Sequence, residues 1–181
     1  MVKDLSLQGL KLIELKIFKD ERGFFTERYQ KDRYQQLGLP SDFFQDNHSR
    51  SKPGVIRGIH YQVNPAQGKL VGVIRGKIWD VAVDVRKGSP TFGKWEGVEL
   101  SDENGRMLWV PPGFAHGFCV LGSEDADVIY KVDQPYSPTT EGGILYNDSD
   151  LNIAWPIKAG IVSGKDLQLQ SFKKYCEKPA F

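Results

Sequence analysis

The chain has 181 residues, 40% of them hydrophobic and 26% charged, so it is long enough to bury a substantial core and is expected to fold as one globular domain, residues 1–181. A formal net charge of +1 excludes a general pull toward nucleic acid or membrane surfaces, so an anionic ligand would have to be met by a local cluster. The only two cysteines, Cys119 and Cys176, lie far apart and exclude a disulfide framework and a cysteine-held zinc. The opening "MVKDLSLQGLKLIELKIF" lacks the basic flank, apolar core and cleavage site of a signal peptide. No apolar run is long enough to cross a membrane, so a cytoplasmic location is expected.

Glycine (19) and proline (10) recur between short runs of Val, Ile, Phe, Tyr and Trp, the punctuation of many short strands. In chain order, "ERYQKDRYQQLGL" reads as a short helix closed by Gly38. "PGVIRGIHYQ" reads as a strand, with Val55, Arg57, Ile59 and Tyr61 alternating against Ile56, Gly58, His60 and Gln62. Arg57 and His60 then face opposite sides, unless Gly58 marks a bulge. "KLVGVIRGKIWDVAVDVR" gives two strands with a turn at Arg75-Gly76; Trp79, Val81, Val83 and Val85 form a packing face, and Asp80, Ala82 and Asp84 a face that is polar or lines a cavity. "GRMLWVPPGFAHGFCVL" gives a strand, a turn at Pro111-Pro112-Gly113 and a strand carrying His116, and "ADVIYKVDQPYS" opposes Ile129 and Lys131 to Tyr130 and Val132. "SGKDLQLQSFKKYCEK" reads as a helix with Ser163 as its N-cap. Without internal repeats or linkers, the pattern predicts a mainly β fold, a jelly-roll barrel or sandwich with a few short peripheral helices.

Polar clusters interrupt these strands: Arg22 and Glu27 in "DERGFFTERYQ", Gln45, Asp46, Asn47 and His48 in "FFQDNHS", and Lys69 in "QGKL". Each has a plain alternative as a surface charge or an Asx turn. A metal is not expected, because His60 is followed by Gln62 where a metal-holding barrel strand would carry a second histidine, and no carboxylate is suitably placed. Cys119 sits in an apolar strand as a small core residue, and no nucleophile elbow or phosphate loop occurs. Acid–base chemistry by His, Tyr, Lys and Asp, with no cofactor, is what remains.

Taken together, "FKDERGFFTE", "FFQDNHSRSKPGVIRGIHYQ", "QGKLV", "DVAVDVRKGSPTFGKWEGVELS", "WVPPGFAHGFCVL", "YKVDQPYSPTTEGGILYND" and "IAWP" resemble, in order and spacing, the successive blocks of the dTDP-4-dehydrorhamnose 3,5-epimerase family. The resemblance implies a cupin-type jelly roll, a homodimer and metal-free inversion of the two carbons flanking the ketone of a dTDP-linked 4-keto-6-deoxy sugar. It implies His60 as the base, Asp166 as its carboxylate partner, Tyr130 as the proton donor and Lys69 as the cation at the keto oxygen. Arg22, Glu27, Gln45, Asn47, Arg57, His116, Glu141 and Lys165 match ligand contacts, and Tyr136 the residue that stacks on thymine. For Arg22 the alternative is a surface ion pair within Asp20-Glu21-Arg22, and for Tyr136 a loop tyrosine packed on proline. For the whole chain the alternatives are a single-site epimerase, a non-catalytic sugar-nucleotide binder and a metal-dependent cupin. Dimerisation is expected to use exchange of the "LKLIELKIF" strand onto a partner's open sheet edge.

Overall fold

Alternating apolar residues build thirteen strands in the computed structural model, which describes residues 1–157 and 160–181. They are β1 (Val2–Asp4), β2 (Lys11–Glu14), β3 (Ile17–Asp20), β4 (Gly23–Thr26), β5 (Gln45–Ser51), β6 (Ile56–Gln62), β7 (Lys69–Arg75), β8 (Lys77–Asp84), β9 (Trp95–Ser101), β10 (Arg106–Val110), β11 (Phe114–Leu121), β12 (Ala126–Val132) and β13 (Glu141–Gly143). One sheet has the order β1-β2-β10-β7-β12-β5 and a second β13-β6-β11-β8-β9, while β3 and β4 form a separate hairpin. From β5 onward each strand lies in the sheet opposite its predecessor, except for the hairpin of β8 and β9. That alternation is the jelly-roll architecture. The turns expected at Gly76 and at Pro111-Pro112-Gly113 are present, and each carries the chain across from one sheet to the other.

The phase of each strand explains what it packs against. Leu12, Val71, Val73, Leu108, Ala126 and Val128 of the first sheet meet Ile78, Ala82, Leu100, Phe118 and Val120 of the second. The outer face of the second sheet, with Ile59, Tyr61, Val81, Val83 and Ala115, is covered by the C-terminal part of the chain through Ile144, Leu151, Ile153 and Tyr175. The outer face of the first, with Ile13, Leu70, Met107 and Trp109, is covered by Tyr34 and Leu39. In β8 the expected division holds: Val81 and Val83 pack outward while Asp80 and Ala82 turn to the space between the sheets.

Helix α1 (Lys31–Gln36) ends at Leu37, followed by Gly38 at φ +67°. The C-terminal segment differs from its reading as one helix. Ser163 instead accepts a hydrogen bond from Asp166 N into a single 3-10 turn, Asp166–Gln168, and α2 (Phe172–Glu177) starts separately with Ser171 as its cap. Leu169 is extended at ψ 157°, because Gln170 leaves the helical path to bridge Ile144. The "LKLIELKIF" segment divides between two elements: β2 is an inner strand flanked by β1 and β10, and β3 belongs to the hairpin with β4. Among the described residues β3 and β4 pair only with each other.

Candidate active site

Between the sheets lies a cavity of ≈ 650 Å³. Its first wall is β5 (Gln45, Asn47, Ser49), β7 (Lys69) and β12 (Tyr130); its second is β6 (Arg57, His60) and β11 (His116), and the segment from Ile161 to Asp166 closes it.

Gly58 makes this wall possible. Along β6 and β11, His60 pairs with His116 but Arg57 pairs with Phe118, so β6 carries one residue more than its partner. The bulge lies at Gly58, whose φ is +115° and where an added Cβ would stand 2.7 Å from Gly117 Cα and 2.8 Å from His116 O. A left-handed conformation against a neighbouring backbone admits only glycine. The extra residue changes the phase of the strand, and Arg57 and His60 both line the cavity.

His60 Nε2 lies 2.8 Å from Asp166 Oδ1, and Asp166 Oδ2 accepts from Gly58 N at 3.2 Å. The carboxylate is buried, and it fixes the imidazole with Nε2–H pointing at it and Nδ1 free. Burial pushes the His60 pKa below the usual histidine value; Asp166 opposes that shift and Lys69 adds to it. Lys69 donates to His60 O at 3.3 Å, and burial brings its ammonium down to about 8 against the opposing charges of Glu141 and Asp80. Burial raises the Tyr130 phenol, with Arg57 opposing. At neutral pH the cavity therefore presents a neutral imidazole on one wall, and an ammonium and an un-ionised phenol on the other.

At the mouth, Glu141 accepts from Lys165 Nζ and, at 3.1 Å, from Tyr136 Oη. Burial would raise the Glu141 carboxyl, but Lys165 and His60 hold it below the usual value. Tyr136 is half exposed, and its backbone N–H donates to Gln45 Oε1 at 3.0 Å. Gln45 Nε2 donates to Asn47, and Arg57 Nε to Ser51 Oγ, both at 2.8 Å. Among the described residues no group of three or more His, Cys, Asp and Glu side chains could hold a metal ion.

The sequence matches the family model described as dTDP-4-dehydrorhamnose 3,5-epimerase over residues 4–174. The chain belongs to this family. A dTDP-4-dehydrorhamnose 3,5-epimerase of Shigella flexneri is 53% identical over 163 residues, covering 89% of this chain and 90% of its own. The crystal structure of the dTDP-6-deoxy-D-glucose-3,5-epimerase of Legionella pneumophila, in complex with dTDP-4-keto-L-rhamnose, superposes with a TM-score of 0.91 at 50% identity, covering 94% of this chain and 92% of that one. A dTDP-4-dehydrorhamnose 3-epimerase of Streptomyces niveus is 39% identical over 167 residues, 91% of this chain and 80% of its own.

Eleven of the thirteen positions that the family resemblance singles out line the epimerase cavity; Arg22 and Glu27 do not. Arg22 sits on the tip of the β3–β4 hairpin, 83% exposed and paired with Asp20 at 2.5 Å, which is the plain alternative set against it. Glu27 pairs with Arg33 at 2.8 Å. Within one copy the hairpin stands away from the cavity because its strands pair only with each other. Two residues at the site gave less signal. Buried Gln62, read only as a missing histidine, donates to the Pro65 and Pro135 carbonyls and accepts from Ser137 N, so it fixes the loop that carries Tyr136. Ser49 Oγ is buried on the cavity wall with no partner among the described residues; the alternation of β5, which turns Gln45, Asn47 and Ser49 to one side, could have pointed to it.

Proposed function

We propose that the chain, working as one domain, inverts carbons 3 and 5 of a dTDP-linked 4-keto-6-deoxy sugar by His60 and Tyr130 acting from opposite walls of the cavity. The observation that carries this reading is that placement: His60 is on β6 of one sheet and Tyr130 on β12 of the other, so a sugar ring between them meets a base on one face and an acid on the other. His60 Nδ1 takes the proton next to the ketone, the C–H electron pair becomes the C=C bond of an enolate as the carbonyl π pair moves to oxygen, and Asp166 stabilises the imidazolium. The Lys69 ammonium meets the negative charge on that oxygen. Tyr130 then delivers its O–H proton to the same carbon from the other face, and solvent restores both groups. Each inversion leaves the electron count of the sugar unchanged, so the cycle needs no cofactor.

Arg57 and Lys165 would meet the diphosphate and Tyr136 the thymine ring, with Gln45, Asn47, His116 and Glu141 as further contacts. Arg22 and Glu27 fit this reading in a homodimer. Phe18, Phe24 and Phe25 on the β3–β4 hairpin are 51%, 61% and 67% exposed, and β5 is the last strand of its sheet, so a hairpin placed on a partner's β5 would be covered and would bring Arg22 toward that partner's Gln45 and Asn47.

The Streptomyces niveus relative favours one alternative, inversion at carbon 3 alone. Turnover of dTDP-4-keto-6-deoxyglucose in deuterated water separates the two. Deuterium at carbons 3 and 5 supports double inversion, deuterium at carbon 3 alone assigns the chain to the single-site reaction, and no deuterium at either carbon overturns the reading.

A further inference from the structure

We propose that Asp80 is a positioning residue for this reaction: it holds the His116 ring so that Nδ1 faces the sugar beside His60. The proposal rests on the function proposed above. Asp80 lies in the middle of β8, fully buried, on the phase that turns inward. Among the described residues its carboxylate has hydrogen bonds to one group only, His116 Nε2, at 2.9 and 3.0 Å. Asp84, four residues on and equally buried, shows what a structural carboxylate looks like in this strand. It accepts from Arg86 Nε, Ser89 Oγ and Thr91 Oγ1 and so locks the turn that leads to β9. Among the described residues Asp80 locks no turn and pairs with no arginine. Burying a carboxylate is costly unless it is well paired, so one whose single partner lines the cavity is retained for what it does to that partner.

The ring that Asp80 holds is placed at the reacting end of the cavity. His116 is the ladder partner of His60, and neighbouring strands lie about 4.8 Å apart, so the two imidazoles stand side by side on one wall. Each has Nε2 engaged by a buried aspartate, Asp166 for His60 and Asp80 for His116. With Nε2–H directed at Asp80, Nδ1 is the ring atom left for the substrate. Asp80 also lies close enough to Lys69 to act on its ammonium. Lys69 and His116 thus stand on opposite walls of the same end of the cavity, and the aspartate behind the ring fixes which of its nitrogens faces the sugar.

The test is Asp80→Asn, with wild type measured alongside for turnover and for deuterium entry. The expected result is a fall in kcat of tenfold or more, with affinity for dTDP, which lacks the sugar, within twofold of wild type. In the 15N spectrum, which has only three histidines to assign, the His116 ring should shift from the Nε2–H pattern while His60 keeps its own. An unchanged kcat would overturn the proposal, as would a loss of dTDP affinity equal to the loss of kcat, since His116 would then serve the nucleotide. Should Asp80→Asn fail to fold, His116→Gln must reproduce the loss of kcat with dTDP affinity kept, and its failure to do so is equally decisive against the proposal. If wild type itself introduces no deuterium, the function fails; if wild type does and Asp80→Asn matches it, only the role of Asp80 fails.

Discussion

All three histidines of the chain meet an aspartate through Nε2, but the outer face of the β5–β12 pair and the cavity wall of β6 and β11 make different things of that contact. On the outer face His48 lies 3.0 Å from Asp127, and its side chain is 53% exposed. Asp127 is shared with Arg50, which donates to it twice at 2.8 Å and holds its carboxyl down at about 2, so its charge is already answered. On the cavity wall the side chains of His60 and His116 are 25% and 10% exposed, and among the described residues neither Asp166 nor Asp80 has a guanidinium partner. A histidine–carboxylate pair is thus a motif without fixed meaning. What sets the two cavity pairs apart is the exclusion of water and, among the described residues, a carboxylate with no competing cation, the setting that the proposed base at His60 needs.

The largest test of that contrast is His60→Ala, expected to lower kcat by about 10²–10⁴-fold, the usual worth of a positioned general base, with dTDP binding kept. Loss of deuterium entry into the sugar by NMR would accompany it; near-normal turnover would remove His60 as the base. Tyr136→Ala should act on binding, raising KM and the Kd for dTDP by roughly 10- to 100-fold at nearly constant kcat, since stacking of a base on an aromatic ring is worth about 1–3 kcal/mol. Isothermal titration with dTDP measures it, and an unchanged Kd would return Tyr136 to the role of a loop residue packed on proline.

The pH profile of kcat/KM sharpens the comparison further. His60 must be neutral to accept a proton and its pKa is depressed, so activity should rise with pH along a limb that lies below 6.5. Lys69 must keep its proton, so activity should fall along a second limb near 8. Each limb changes the rate about tenfold per pH unit. An acid limb above 6.5 would mean that Asp166 outweighs burial at His60. The smallest effect is assigned to the outer pair: His48→Ala should leave kcat within twofold and cost less than about 1 kcal/mol in chemical unfolding, as exposed pairs do. A loss of activity there would break the distinction between the two faces.

Much of the fold was legible because its signals are local. The phase of Val81 and Val83 against Asp80 and Ala82, the glycine inside "VIRGIHYQ" and the turns at Gly76 and Pro111-Pro112-Gly113 each depend on a few adjacent residues. The assignment of strands to two sheets was not legible, since a strand crossing to the opposite sheet and one folding back on its own have the same period. The break between the Asp166 turn and α2 was hidden for a related reason: the extended Leu169 is set by Gln170 bridging Ile144, a contact distant in sequence. Asp80 and Asp84 show the limit most plainly. They are identical in type, phase and burial, yet one meets a histidine 36 positions away and the other an arginine two positions away. The family resemblance supplied the cavity residues that pattern could not, and it also named Arg22 and Glu27, which one copy of the chain keeps outside the cavity.

The contact between His60 and Asp166 joins residues 106 positions apart. During synthesis on the ribosome the strands that build both walls, through β12, emerge well before the segment carrying Asp166. A nascent chain can therefore fold its sheets and still lack the partner of His60, and the same late segment brings Lys165 to the mouth and Tyr175 to the outer core. Under the proposed function, activity waits for a segment made after both walls, so a product that stops before it would carry the sheets without the chemistry.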